Sequence, residues 1–282
     1  MRVRFLDIDG QRTRLLYAGS GPAVVLLHGL GTTAERWYRN IDALAGNFSV
    51  YAPDLLNHGF SGDVRFGGEA PQSIHVAQIR GLVRELGLPA VSVIGSSYGG
   101  LVAALLALKD AASVKRLVIV GSGSATHPPD EQAAVLRAAR ENSLKALTDG
   151  SFAAARQRLQ KLAHDPSSIA EEALPILITA NAQPGRQEAA MDLYDSLIAS
   201  ANTPSVQAYP RLEEIQQPTM MIVGRNDIRA SWQRAQEASA RIPNCKLSIY
   251  DACGHAPMQE HAERFNADLR AFLNAEDPRG ST

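Results

Sequence analysis

Serine, histidine and aspartate can together make a hydroxyl nucleophilic at neutral pH. An imidazole accepts the serine proton, and a carboxylate fixes the imidazole tautomer. The sequence offers such a set in Ser97, His255 and Asp227. Ser97 sits in VSVIGSSYGG, where Gly95-Ser96-Ser97-Tyr98-Gly99 joins an apolar strand-like run to a helical one. A tight turn there lifts the serine above the sheet edge, and the small residues at 95 and 99 let strand and helix backbones approach. The helix amino terminus behind it presents amide N–H groups to an anion, which makes Tyr98 N–H an oxyanion donor. The competing reading is a serine that only caps a helix.

A second glycine-containing turn, His28-Gly29-Leu30-Gly31, follows the run AVVLL and can fold back over the nucleophile, which makes Leu30 N–H the second donor. His28 reads as a structural hydrogen-bonding residue. Among seven histidines, His255 stands apart because DACGHAP follows the last strand-like run, at the same carboxyl edge as Ser97. Asp227, in GRND after TMMIVG, falls at that edge too, with Asp251 and Glu260 as competitors for its role. Cys245 and Cys253 have neither metal-ligand nor disulfide-framework spacing and read as buried thiols. No metal and no cofactor are expected.

These residues need a scaffold that brings strand ends together. Residues 1–18 alternate around a DGQ turn, as a hairpin does. Apolar runs then recur at 23–27, 48–53, 91–95, 114–120, 219–224 and 246–250, with helical stretches such as 74–86 and 101–110 between them. That alternation predicts a mainly parallel sheet with helices on both faces, an α/β fold. Residues 124–207 contain helical runs and no strand, bounded by Gly121 to Ser124 and by Pro204. They predict an inserted helical lid, with core residues at 1–123 and 208–276 and a polar, flexible tail at 277–282.

Composition narrows the function. With 282 residues, 45% hydrophobic and 20% charged, the chain can bury a sizeable core. Its 28 basic and 29 acidic residues are scattered, for a net charge of −1, which disfavours nucleic acid as a partner. No apolar run is long enough for a membrane span or shaped as a signal peptide, so the expectation is a cytoplasmic protein without membrane insertion. Apolar lid faces are compatible with a homodimer.

Together, HGLG, PDLLNHGFS, GSSYGG, GRND and CGHAPMQEHAERF resemble the α/β-hydrolase superfamily in spacing and order. The resemblance implies an eight-stranded, mostly parallel sheet, a lid after strand six, and cofactor-free acyl-enzyme hydrolysis by Ser97, Asp227 and His255. Within the superfamily, CGHAPMQEHAERFN and the stretch HDPSSIAEEALPILITANAQPGRQEAA look like the meta-cleavage product hydrolases, which split a carbon–carbon bond in vinylogous diketo acids. Those enzymes commonly carry an aromatic residue after the histidine, where this chain has Ala256. They also carry a lid arginine for the substrate carboxylate, where ALPILITANAQPG has none and Arg186 is the nearest substitute. The expectation is therefore a small-molecule acyl substrate, with a carboxylic ester first and the carbon–carbon substrate as the alternative. A small-molecule receptor built on the same fold is a third reading.

Overall fold

The computed structural model describes residues 1–169 and 171–276; the tail expected at 277–282 lies outside the described residues. Eight strands form one sheet: β1 (Arg2–Ile8), β2 (Gln11–Ala18), β3 (Ala23–Leu27), β4 (Ser49–Pro53), β5 (Val91–Ser96), β6 (Val114–Val120), β7 (Thr219–Gly224) and β8 (Cys245–Tyr250). Their order across the sheet is β1-β2-β4-β3-β5-β6-β7-β8. The β1–β2 and β2–β4 pairs are antiparallel and the rest parallel. Asp9 and Gly10 close the first hairpin with φ of 52° and 80°, the left-handed pair that a two-residue turn matching strand twist requires.

Three helices lie on the first connections: α1 (Tyr38–Ala45), α2 (Pro71–Glu85) and α3 (Tyr98–Lys109). Between β6 and β7 come α4 (Gly123–Thr126), α5 (Pro129–Asp149), α6 (Phe152–Gln160), α7 (Leu174–Asn181) and α8 (Arg186–Ser200). The chain ends with α9 (Trp232–Arg241), α10 (Pro257–Glu260) and α11 (Ala262–Asn274). The strand runs read from sequence agree with the observed strands to within one residue. Helices α2 and α3 each begin earlier than their apolar periodicity suggested. Pro71 is preorganised for the first turn of α2, and α3 starts directly after Ser97 although Gly99 and Gly100 are poor helix formers.

Side-chain alternation along the central strands splits the core into two halves. Val25, Leu27 and Val93 pack with Ile79 of α2 and Leu105 of α3. Val24, Leu26 and Ile94 pack on the other face with Ile41 of α1 and Leu269 of α11. Strand β5 is buried throughout, so both layers press on the strand that carries the GSSYG turn. Among the described residues no helix is long and apolar enough to cross a membrane.

Candidate active site

The β5–α3 junction confirms the tight turn. Ser97 has φ 54° and ψ −121°, a conformation rare for a residue with a side chain. A Cβ at Gly95 would lie 2.1 Å from Gly99 O, and one at Gly99 would lie 2.4 Å from Leu27 O. Neither position tolerates a larger residue without moving backbone. Two hydrogen bonds hold the turn: Ser97 N–H donates to Val120 O at 2.8 Å, and Gly100 N–H donates to Ser97 O at 2.9 Å. The expense of the strained Ser97 backbone is met by this frame, as at other functional turns.

His255 and Asp227 come from the loops after β8 and β7. His255 Nδ1 lies 2.8 Å from Asp227 Oδ2 and 3.0 Å from Oδ1. The Asp227 side chain is fully buried, and its Oδ1 also accepts N–H groups from Arg229 at 2.7 Å and Ala230 at 3.0 Å. These bonds fix the carboxylate, which in turn assigns the proton of neutral His255 to Nδ1 and leaves Nε2 as the basic nitrogen. Asp251 instead pairs with Arg225 on the surface. Glu260 accepts N–H groups from Gly254 at 3.0 Å, Ala256 at 3.1 Å and His164 at 2.8 Å, so it braces the His255 loop without touching the imidazole.

Ser97, His255, Leu30 and Tyr98 line one cavity of about 60 Å³. The Ser97 hydroxyl makes no hydrogen bond to His255 in this conformation, a separation common before a substrate tightens such a site. The turn at Gly29 passes close above the serine: a Cβ there would lie 3.0 Å from Ser97 Cβ. His28 is structural, with Nε2 accepting Leu55 N–H at 3.0 Å and Nδ1 donating to Gly29 O at 2.8 Å. Burial pushes its pKa down, which favours this neutral form. Asp54 is likewise scaffold, accepting Ala34 N–H at 2.7 Å and Phe60 N–H at 2.9 Å. Burial pushes the Cys253 thiol pKa up, which argues against a thiolate nucleophile beside His255.

Three arginines that sequence reasoning did not single out line the same cavity: Arg36, Arg158 and Arg229. Burial, then the charge of Arg158, lowers the Arg36 pKa to about 10, which still leaves it protonated at neutral pH. Arg229 is half-buried, and its guanidinium forms no hydrogen bond or ion pair among the described residues. No periodicity marks these arginines, because only the docking of the helices over the sheet decides which polar side chains turn inward. The one arginine considered as a carboxylate ligand, Arg186, is placed elsewhere. It pairs with Asp63 and donates to Gly59 O at 3.1 Å and Ser61 O at 3.2 Å, in an adjoining cavity of about 30 Å³ that shares Thr32, Ser143 and Arg158 with the first. Its hydrogen bonds tie α8 to the loop after β4, so it does not stand in for the missing lid arginine.

The sequence profile described as "Alpha/beta hydrolase family" matches residues 24–268. A 2-hydroxymuconate semialdehyde hydrolase from Pseudomonas putida is 28% identical over 278 residues, covering 95% of this chain and 92% of that protein. A 2-hydroxy-6-oxononadienedioate/2-hydroxy-6-oxononatrienedioate hydrolase from Burkholderia vietnamiensis is 29% identical, covering 94% of this chain and 92% of that one. Among solved structures, a 2-hydroxy-6-oxo-6-phenylhexa-2,4-dienoate hydrolase from a Rhodococcus strain superposes with a TM-score of 0.81 at 24% identity, covering 96% or more of both chains, here 97% and 100%, and this likeness bears on fold alone.

Proposed function

The chain belongs to the alpha/beta hydrolase family, and from that premise we propose that it is a serine hydrolase of carboxylate-bearing acyl compounds, with a carbon–carbon bond of a vinylogous diketo acid as the bond it breaks. The observation that carries this reading is the unpaired Arg229 guanidinium in the cavity shared by Ser97 and His255. A half-buried cation with free donors favours a substrate anion, and bidentate pairing with a carboxylate would orient it. The names of the similar proteins, muconate semialdehyde and dienedioate hydrolases, describe acids of this kind. The expectation of a less acidic substrate rested on Ala256 and on the absence of a lid arginine, and Arg229, in the cavity lining, supports an acidic substrate in place of that arginine.

In the proposed mechanism, Ser97 Oγ attacks the carbonyl while His255 Nε2 takes its proton and Asp227 stabilises the imidazolium. Leu30 N–H and Tyr98 N–H donate to the oxyanion. Collapse breaks the carbon–carbon bond, its electron pair passes through the conjugated system to the distal keto oxygen, and that enolate oxygen takes the imidazolium proton as the dienol is released. Water activated by His255 then hydrolyses the acyl-serine. Acid–base help of about 10²–10⁴-fold and oxyanion stabilisation of about 10²–10³-fold per donor are the usual scale of these contributions. We further propose that residues 124–207 act as a lid. Leu136, Ser143 and Arg158 of this segment line the cavity that Ser97 and His255 share, which supports that reading.

Ester hydrolysis is the second reading, favoured by Ala256. This residue is fully buried beside His255 and offers no ring to a planar dienoate. Steady-state turnover of a chromogenic ring-cleavage dienoate and of nitrophenyl esters separates the two. A kcat/KM for the dienoate at least tenfold above that of the best ester supports carbon–carbon cleavage. Ester turnover with no loss of dienoate absorbance overturns it.

A further inference from the structure

We infer that Arg158, on the helical segment proposed as a lid, is a positioning residue for the oxyanion hole. Seating the lid and assembling the oxyanion hole are then a single event. The inference rests on the serine-hydrolase reading above. Arg158 lies on α6, yet its Nη1 donates to Gly31 O at 2.7 Å and its Nη2 to Leu30 O at 2.9 Å, across more than 120 residues of sequence. The same Nη2 donates to Ser143 Oγ on α5 at 3.0 Å, so two lid helices meet on this guanidinium. Arg158 is 7% exposed, and the loop is shaped to receive it. Gly31 has φ 62°, and a Cβ there would lie 2.7 Å from Arg158 Nη2.

The carbonyls that Arg158 holds belong to the turn whose Leu30 N–H is the proposed second oxyanion donor. A short glycine-flanked loop can flip its peptides at little cost, and a flipped Leu30 or Gly31 carbonyl would bring a negative dipole toward the developing oxyanion. Gly29 O, in the same peptide as Leu30 N–H, is held by His28 Nδ1 and Thr32 Oγ1 at 2.8 Å each; fixing the next two carbonyls on a buried cation removes the freedom of the rest of the turn and so keeps Leu30 N–H aimed. Preorganisation of this kind favours the transition state more than the bound substrate. Nη1 and Nη2 of Arg158 are engaged by backbone and Ser143, and its Nε alone has no partner, whereas the whole Arg229 guanidinium is without one among the described residues.

The test uses a neutral ester, 4-nitrophenyl acetate, on which carboxylate recognition plays no part. Wild type, Arg158→Lys and Arg158→Met are compared for kcat, KM and thermal midpoint, and for inhibition by phenylboronic acid, which forms a tetrahedral adduct on an active serine. The expected result for Arg158→Met is a kcat 10²–10³-fold lower, with KM within about threefold and boronate affinity reduced in step with kcat. Arg158→Lys, which keeps one cationic donor, recovers about tenfold of that loss. If Arg158→Met does not fold, Arg158→Lys alone decides: a lowered kcat with unchanged KM and weakened boronate binding supports the inference. An unchanged kcat in a folded variant overturns it, and so does a raised KM alone or a kcat loss with boronate affinity intact. Failure of the serine-hydrolase reading would show separately, as a Ser97→Ala protein that retains wild-type turnover.

Discussion

His255 Nδ1 lies 2.8 Å from Asp227 Oδ2, although the two residues are 28 positions apart and stand on loops after different strands. Parallel strands β7 and β8 bring both loops to one edge of the sheet, and β5 brings Ser97 to the same edge. The Asp227 carboxylate is held by two backbone N–H groups before the imidazole adds its own, so its position does not depend on His255.

Replacing Asp227 by Asn keeps the shape and removes the preference for the Nδ1–H tautomer. The expected effect on Asp227→Asn is a kcat about 10⁴-fold lower at neutral pH, with KM changed by less than about tenfold. Steady-state kinetics beside an unchanged circular dichroism spectrum check it. A loss below tenfold would remove Asp227 from its assigned role.

Glu260 braces the His255 loop through N–H groups of Gly254 and Ala256, and reaches His164 in the segment between α6 and α7. Hydrogen bonds to a charged acceptor contribute about 1.5–3 kcal/mol each when partners are left unpaired. Glu260→Ala is therefore expected to lower unfolding free energy by about 2 kcal/mol or more in urea titration, and to reduce kcat by disordering His255. Unaltered stability and kcat would show that the loop is held by other contacts.

Arg229→Gln removes the unpaired guanidinium from the cavity. With a charge-assisted pair contributing about 1.5–3 kcal/mol, KM for a carboxylate-bearing substrate should rise about 10–100-fold, while a neutral ester changes less than about threefold. Equal effects on both substrates would contradict carboxylate recognition by this residue.

The pH dependence of stability follows from histidines kept neutral by the fold. His75 Nδ1 lies 2.7 Å from the Tyr98 hydroxyl and Nε2 lies 3.1 Å from Leu56 O. Burial lowers its pKa to about 4, and burial also pushes His28 and His58 down. The unfolded chain binds these protons near pH 6.5 and the folded chain does not, so stability is full above about pH 6.5 and is lost as pH falls toward 4. His75 alone accounts for a loss on the order of 3 kcal/mol across that window. Urea unfolding between about pH 7.5 and 5.5 should show a falling midpoint, in a range that lies above the main titration of carboxylates. A flat midpoint would contradict neutral, buried histidines.

The strands and the Ser97, Asp227 and His255 loops were legible because each depends on local signals: apolar runs, small residues at a turn, and polar residues directly after a strand. The hairpin turn at Asp9 and Gly10 was legible for the same reason. Helix α7 was not, because ALPILITAN is apolar on nearly every side and lacks the periodicity that marks a half-exposed helix. Arg158 and Arg229 were invisible for a different reason. On α6 and in the Asp227 loop they look like ordinary solvated charges, and only the packing of α5 and α6 against the Leu30 turn directs Arg158 inward. Arg186 shows the converse, since its place in the sequence suggested a ligand and its contacts with Asp63 and two backbone carbonyls make it structural.

The nucleophile is tested most directly by covalent labelling with a fluorophosphonate, read by intact mass and peptide mapping on wild type and Ser97→Ala protein. The account predicts one adduct per wild-type chain, mapped to Ser97, and none on Ser97→Ala. An adduct on another residue, or equal labelling of both proteins, would contradict it.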